Sequence, residues 1–262
     1  MESLTFAALT VAALLAASAA LVGCSKQAPE QGEQKTSAPA SDVIKIGVFQ
    51  PLTGANSAGG ADELEGIKLA NKLYPTALGK KVELVIVDNK SDKVEADNAA
   101  TVLTQKEKVN AVLGSWGSSL SMSGGPIFAE AKIPAVALSA TNPNVTKGNE
   151  YYFRVCFLDP FQGTVGAAYA YNTLKAKKVA IIREVSNDYS VGLTKFFVDN
   201  FVKLTGDDKA VVATADYNTG DQDFSAQLTN IKQHNPDVIF APGNYTESAL
   251  IIKQARALGM QT

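Results

Sequence analysis

Cysteine and histidine are almost missing from this chain. Of its 262 residues, two are cysteine (Cys24 and Cys156) and one is histidine (His234). Two cysteines cannot build a disulfide framework, and neither stands in a metal-ligand spacing. His234 lies between Gln233 and Asn235-Pro236, where a helix should end. Nothing nearby supplies a triad or ligand partner, so it reads as a solvated surface side chain. An excess of either charge is lacking too: 24 basic and 26 acidic residues leave a net charge of -2. That is no footprint for nucleic acid, and no such partner is expected. Hydrophobic residues at 46% and charged residues at 19% are ordinary for a packed globular chain. The length suffices for one large domain or two small ones.

The first residues carry an address. Residues 4–22 form an uncharged apolar stretch rich in Ala and Leu, either a short membrane helix or the hydrophobic core of a signal peptide. Leu21-Val22-Gly23-Cys24 resembles the bacterial lipoprotein signal, in which the chain is cut before the cysteine and the cysteine is lipidated. Met1-Glu2-Ser3 has no Lys or Arg, where an export signal has a positive start, so the true start lies upstream or the segment is an uncleaved anchor. The expected organisation is a signal peptide over 1–23 and a flexible tether over 24–42, rich in Ala, Gln, Glu, Lys, Pro and Ser.

From Val43 onward strand and helix alternate. Strands are expected at 44–49, 82–87, 111–113, 134–138, 178–182, 211–215 and 238–240. Helices are expected at 61–73, from about 92 to 107, through 131, and at 163–174, 191–204, 224–233 and 247–258, the last stopped by Gly259. Asp92 with Glu95 looks like a capping box, and Gly54, Gly59 and Gly60 like a glycine-rich loop. This rhythm predicts an α/β protein with parallel sheets and helices on both faces. Residues 151–160 break the rhythm and read as the crossing between an N-terminal lobe (43–158) and a second lobe (159–262).

Ligands of open parallel sheets bind beyond the carboxyl ends of the strands. The polar residues there are Ser115, Trp116, Ser118 and Ser119; Ser139, Thr141 and Asn142; Ser186, Asn187, Asp188 and Tyr189; Asn218 and Asp221; and Asn244, Tyr245 and Thr246. They are hydroxyls and amides, able to hold a carboxylate with helix N-terminal amides, or simply to cap helices. Trp116 is either a cleft wall or packing under its loop. No nucleophile–base pair, metal set or phosphate-binding glycine motif is present, so neither an enzyme nor a cofactor is expected.

In order, Ile46-Gly47-Val48, Leu52-Thr53-Gly54, Glu65-Gly66, Gly114 with Ser118-Ser119, Ile133-Pro134, Ser139-Ala140-Thr141-Asn142-Pro143 and Tyr152-Phe153-Arg154 form a recognisable set. Asp188-Tyr189-Ser190-Val191-Gly192, Gly220-Asp221-Gln222-Asp223-Phe224-Ser225 and Gln254-Ala255-Arg256-Ala257-Leu258-Gly259 extend it. From 44 to 262 the chain resembles the periplasmic binding proteins of branched-chain amino acid ABC transporters, the leucine/isoleucine/valine-binding type. The resemblance implies a type 1 periplasmic binding fold, or Venus flytrap, with an amino acid or related solute held between two lobes. It implies a carboxylate grip at Ser118, Ser139 and Thr141, with Ala140 among the ligand-binding residues around them, Tyr189 reaching from the other lobe and Asn244 contributing; Trp116, read above as a candidate wall, completes the expected ligand set. The implied partners are ABC permease subunits, and the membrane through lipidated Cys24, facing the periplasm or the exterior. The alternatives are a ligand-sensing module of the same fold, or a binder of amides, urea or small organic acids. The acidic residue that holds the ligand ammonium should follow a strand expected after Thr262, so a C-terminally truncated chain is expected. Where branched-chain binders often place an aromatic against the ligand, this chain has Ala58-Gly59-Gly60.

The lipoprotein reading predicts a mature N-terminus at an acylated Cys24. Mass spectrometry of the protein recovered from membranes checks it, and a free, unmodified Met1 would overturn it.

Overall fold

The computed structural model describes residues 42–261. The expected signal peptide, Cys24 and nearly all of the tether lie outside the described residues. Two sheets organise the rest. In the first, β1 (Val43–Gln50) runs between β3 (Lys80–Asp88) and β4 (Ala111–Gly114), parallel to both. β5 (Ala135–Ala137) and β6 (Tyr152–Arg154) extend it in parallel. A two-residue β2 (Thr76–Ala77) pairs antiparallel with the start of β3, giving the order β2-β3-β1-β4-β5-β6. The second sheet places β7 (Val179–Glu184) between β8 (Val211–Tyr217) and β9 (Val238–Phe240), all parallel.

Strands covered by helices on both faces are apolar on both, which is why they read as short apolar runs. On β1, Phe49 points into the core of one face, its ring edge-on to Phe128 of α3 (Ser118–Glu130) at 5.4 Å. Its neighbour Val48 joins Leu64 and Ile67 of α1 (Ser57–Leu73) on the other. The same alternation divides β7. Val179 and Ile181 join Phe197 and Phe201 of α5 (Asp188–Thr205) and Ala167 of α4 (Asp159–Ala168). Ala180 and Ile182 join Leu228 of α6 (Ser225–Gln233) and Ile251 of α7 (Tyr245–Ala257). Helix α2 (Lys93–Thr101) packs Ala96, Ala99 and Ala100 under the first sheet. Among the described residues, no helix is long and apolar enough to cross a membrane.

Three expectations need correction. Gly59 and Gly60 are inside the first turns of α1, not in a loop. They are there because a Cβ on Gly60 would stand 2.0 Å from the Pro51 carbonyl oxygen, and one on Gly59 2.3 Å from the Trp116 ring. The break at 151–160 begins as a strand: β6 pairs with β5, and only then does the chain leave the first sheet for α4, which packs on α5. The capping box is half formed. The Asp92 carboxylate accepts from the amides of Val94 and Glu95, but Glu95 turns to Lys90 at 3.0 Å.

The second lobe hangs on Phe197, which is 1% exposed and stacked on Phe240 with centroids 3.8 Å apart. Phe197→Ala should lower stability by about 3–5 kcal/mol, read by urea denaturation. A loss below about 1 kcal/mol would show that the site collapses around the gap.

Candidate functional site

A cavity of about 680 Å³ lies where the carboxyl ends of both sheets meet. The first lobe lines it with Ser91, Asp92 and Lys93 after β3, 116–120 after β4, and Ser139 and Thr141 after β5. The second lobe adds Glu184, Ser186, Asn187 and Tyr189 after β7, Thr219 after β8, and Gly243, Asn244 and Tyr245 after β9.

The loop after β4 is the most tightly held wall. Gln50, fully buried at the end of β1, accepts from the Trp116 amide at 2.7 Å and donates to the Glu63 carboxylate at 2.6 Å. Asn89, fully buried after β3, donates to the Ser115 hydroxyl at 2.9 Å. The Tyr152 hydroxyl donates to the Gly114 carbonyl at 2.6 Å. The loop then turns into α3, whose N-cap is Gly117 with no side-chain cap. The first amides of α3 are thus left for whatever occupies the cavity, at the helix end that attracts anions. Burial pushes the Glu63 carboxyl up, against the nearby Ser139 and Gln50 groups.

The structure brings six of the seven expected ligand residues to this cavity: Trp116, Ser118, Ser139, Thr141, Tyr189 and Asn244. Ala140 is the one that is not among the lining residues. It is 1% exposed and lies outside the lining, and its carbonyl accepts from the Arg154 guanidinium at 2.7 Å. The Ser118 hydroxyl accepts from the Asn142 amide at 3.2 Å. The Ser139 hydroxyl is buried beside the Glu63 carboxylate, with no partner in good hydrogen-bond geometry. Trp116 resolves both of its alternatives together: it lines the cavity and packs on the backbone of Gly59. Tyr189 accepts from the Gln162 amide at 3.0 Å, and burial pushes its hydroxyl up.

Capping accounts for some strand-end residues and not others. Asn187 caps α5 by accepting from the Tyr189 amide. Asn218 and Asp221 close their own turn and lie outside the cavity lining. Asn244 precedes α7 without capping it and instead donates across to Asn56 at 2.9 Å. Other contacts cross between the lobes. The Gly59 amide donates to the Tyr245 hydroxyl at 3.3 Å, the Asp188 amide to the Ser119 hydroxyl at 2.9 Å, and Lys93 pairs with Asp188 at 2.9 Å. Asn56, Phe157 and Gln162 also line the cavity. They escape a search of strand ends because they come from the start of α1, from the crossing and from α4.

The site is a polar cleft between two α/β lobes, with no group of His, Cys, Asp and Glu among the described residues placed to hold a metal. Residues 43–262 match the family described as periplasmic binding protein, and the chain belongs to that family. It is similar to an amino acid binding protein of Pseudomonas aeruginosa, at 33% identity over 84% of this chain and 59% of that one. Among solved structures it is similar to a leucine binding protein from Thermotoga maritima, at 46% identity, covering 83% of this chain and 61% of that one, with a TM-score of 0.79. It is also similar to a branched-chain amino acid substrate-binding protein from Streptococcus pneumoniae in complex with isoleucine, at 34% identity, 84% and 62% coverage and a TM-score of 0.77. A solute-binding protein from R. palustris in complex with 4-hydroxybenzoate matches at 29% identity, 83% and 59% coverage and a TM-score of 0.74. The chain spans about 60% of the length of these relatives. They are binding proteins, not enzymes.

Trp116 is the only tryptophan of the chain, so its fluorescence reports on the cavity wall alone. Gly59→Val should force the indole off α1 and shift its emission to longer wavelength, with the far-ultraviolet circular dichroism unchanged. An unshifted emission would show that the ring is not seated on Gly59.

Proposed function

We propose that this protein captures an amino acid, branched-chain or related, for an ABC importer and presents it to the permease. The observation that carries the reading is the pairing of an uncapped helix end with hydroxyls along the same cavity wall. The N-terminus of α3, with Ser118, Thr141 and the Ser139 hydroxyl, forms a neutral set of donors at one wall of the cavity. Such a set suits a ligand carboxylate, which gains charge-assisted hydrogen bonds. Ser118, Ser139 and Thr141 are read as the carboxylate grip. Tyr189 and Asn244 approach from the second lobe, and Trp116 supplies an aromatic wall from the loop after β4.

Capture works by lobe closure. The bonds from Asn244 to Asn56, Gly59 to Tyr245 and Asp188 to Ser119 join the two lobes around the cavity. A ligand touching both lobes adds to them and favours the closed form, which is the form a permease can distinguish from the open one. Export, with anchoring through an acylated Cys24 and a tether, would keep the lobes beside a permease in the same membrane. The relatives that hold isoleucine and 4-hydroxybenzoate mark the range of carboxylates to be tried.

Isothermal calorimetry against the amino acids and small organic acids tests this. Ser118→Ala and Thr141→Ala should each weaken binding of the best ligand by about 1–3 kcal/mol, because a charged carboxylate loses a donor. Binding of no amino acid, amide or short organic acid would defeat the reading. Unchanged affinity in both variants would move the carboxylate elsewhere.

A further inference from the structure

Leu78 suits neither its backbone nor its surroundings. It sits with Gly79 in the two-residue turn between β2 and β3, where Ala77 pairs with Lys80. Both turn residues are left-handed, Leu78 at φ 53° and Gly79 at φ 74°, the pattern of a tight hairpin turn that favours Asn-Gly. A leucine there is strained, because its Cβ crowds the following carbonyl. In the described chain the other non-glycine residues with positive φ are Lys90, Ser91, Lys108, Lys132, Lys175 and Asn235, all polar. Leu78 is also 94% exposed, so no packing offsets the strain.

The tip belongs to a patch. Residues 72–79 are all exposed, Leu73 and Tyr74 among them, and Leu69 is exposed one turn earlier on α1. The same stretch is basic: residues 72–81 carry Lys72, Lys80 and Lys81 and no acid. Lys72 suits the C-terminal end of α1. Lys80 and Lys81 open a strand, where no helix dipole favours them. Lys81 pairs with Glu83 at 3.1 Å and stays exposed. Along the same edge, the connections before β4 and β5 add Lys106, Lys108 and Lys132 against Glu107 and Glu130. Glu107 lies 3.6 Å from Lys45.

The place of this edge in the fold indicates its partner. The parallel strands of the first sheet start here, and the cavity lies at their other ends. Val43, the first residue of β1, pairs with Lys81, so the chain leading from Cys24 joins the lobe beside the hairpin. We propose that the β2–β3 hairpin docks on an anionic bilayer surface, with Leu78 and Tyr74 entering the headgroup region and Lys72, Lys80 and Lys81 meeting acidic lipid. This rests on the anchoring at Cys24. Apolar side chains enter the interface while the lysines around them are drawn to negative headgroups. A second copy of this chain fits less well, because a twofold contact would set the same lysines against each other. With acyl chains supplying the attachment, the hairpin sets the pose: the base of the first lobe faces the bilayer and the cleft faces away from it.

Full-length acylated protein reconstituted on vesicles tests this. Tyr74→Trp puts a reporter beside the tip, and lipids brominated near the headgroup quench an indole that reaches them. Trp116 gives a background that the unaltered protein measures. On phosphatidylcholine vesicles containing phosphatidylglycerol, the added indole should be quenched and its emission should shift to shorter wavelength. Phosphatidylcholine alone, or raised salt, should remove most of the effect, because screening weakens the attraction of the lysines.

Leu78→Asn should remove the quenching while holding or raising the urea midpoint, since Asn suits a left-handed turn position. Lys72→Glu with Lys81→Glu should remove it too. No quenching on anionic vesicles, or quenching that survives these changes, overturns the proposal. Phe161→Trp places an indole on the exposed face of α4. Equal quenching there would mean general apolar adhesion and also overturns it. A drop in oligomeric state on Leu78→Asn, read by sedimentation, would give the tip to a second copy and overturns it as well. Protein that floats with neither kind of vesicle overturns the anchoring beneath the proposal, while leaving solute binding in place.

Discussion

The cavity depends on one buried amide. Gln50 sits fully enclosed at the end of the central strand, and such a group is expensive to bury unless both its ends are used. They are: its oxygen holds the Trp116 amide and its nitrogen the Glu63 carboxylate. One side chain therefore ties together β1, α1 and the loop after β4. The close approach is possible only because Gly59 and Gly60 carry no side chain. With Asn89 and Tyr152 gripping the same loop from their own strands, the N-terminus of α3 has little freedom in where its amides point. A pre-set donor array loses less entropy when a ligand arrives.

The helix ends around the cleft divide into occupied and idle. α2 and α5 have their first amides taken by Asp92 and Asn187. α1, α3 and α7 have no side-chain cap, and all three start at the cavity. An uncapped helix end is a small local loss of stability, on the order of 1 kcal/mol. Here the uncapped ends face the cleft from both lobes, α1 and α3 from the first and α7 from the second. Asn244 shows the trade most clearly: it stands where a cap belongs and spends its amide on Asn56 across the cleft instead.

Much of this architecture is readable from the chain, for a definite reason. Strands sandwiched between helices are apolar on both faces, so Val48-Phe49 and Ile181-Ile182 stand out as short runs between amphipathic helices. What fails to stand out is whatever lacks that sandwich. The two residues of β2 are exposed, and β6 is a three-residue strand at the sheet edge, in a stretch whose aromatics and proline look like a linker. The glycines of α1 mislead because glycine usually marks a loop; here the cause is close approach, a tertiary fact. For the cleft, the rule that ligands gather beyond strand ends finds Trp116, Ser118, Ser139, Thr141, Tyr189 and Asn244 as lining. It overreaches at Asn218 and Asp221, which close their own turn outside the lining. It does not find Asn56, which lies well past the end of β1 at the start of α1, or Gln162, which is inside α4.

Asp159 lies beyond that rule altogether, since an acid at the start of a helix looks like ordinary dipole matching. An exposed Asp there would stabilise α4 by a few tenths to one kcal/mol, roughly, and ask for nothing more. Full burial changes the balance, because the cost of desolvating an unpaired carboxylate exceeds what a helix end returns. The Asp159 amide holds the Thr141 carbonyl at 3.0 Å, so the start of α4 braces the cavity wall from behind.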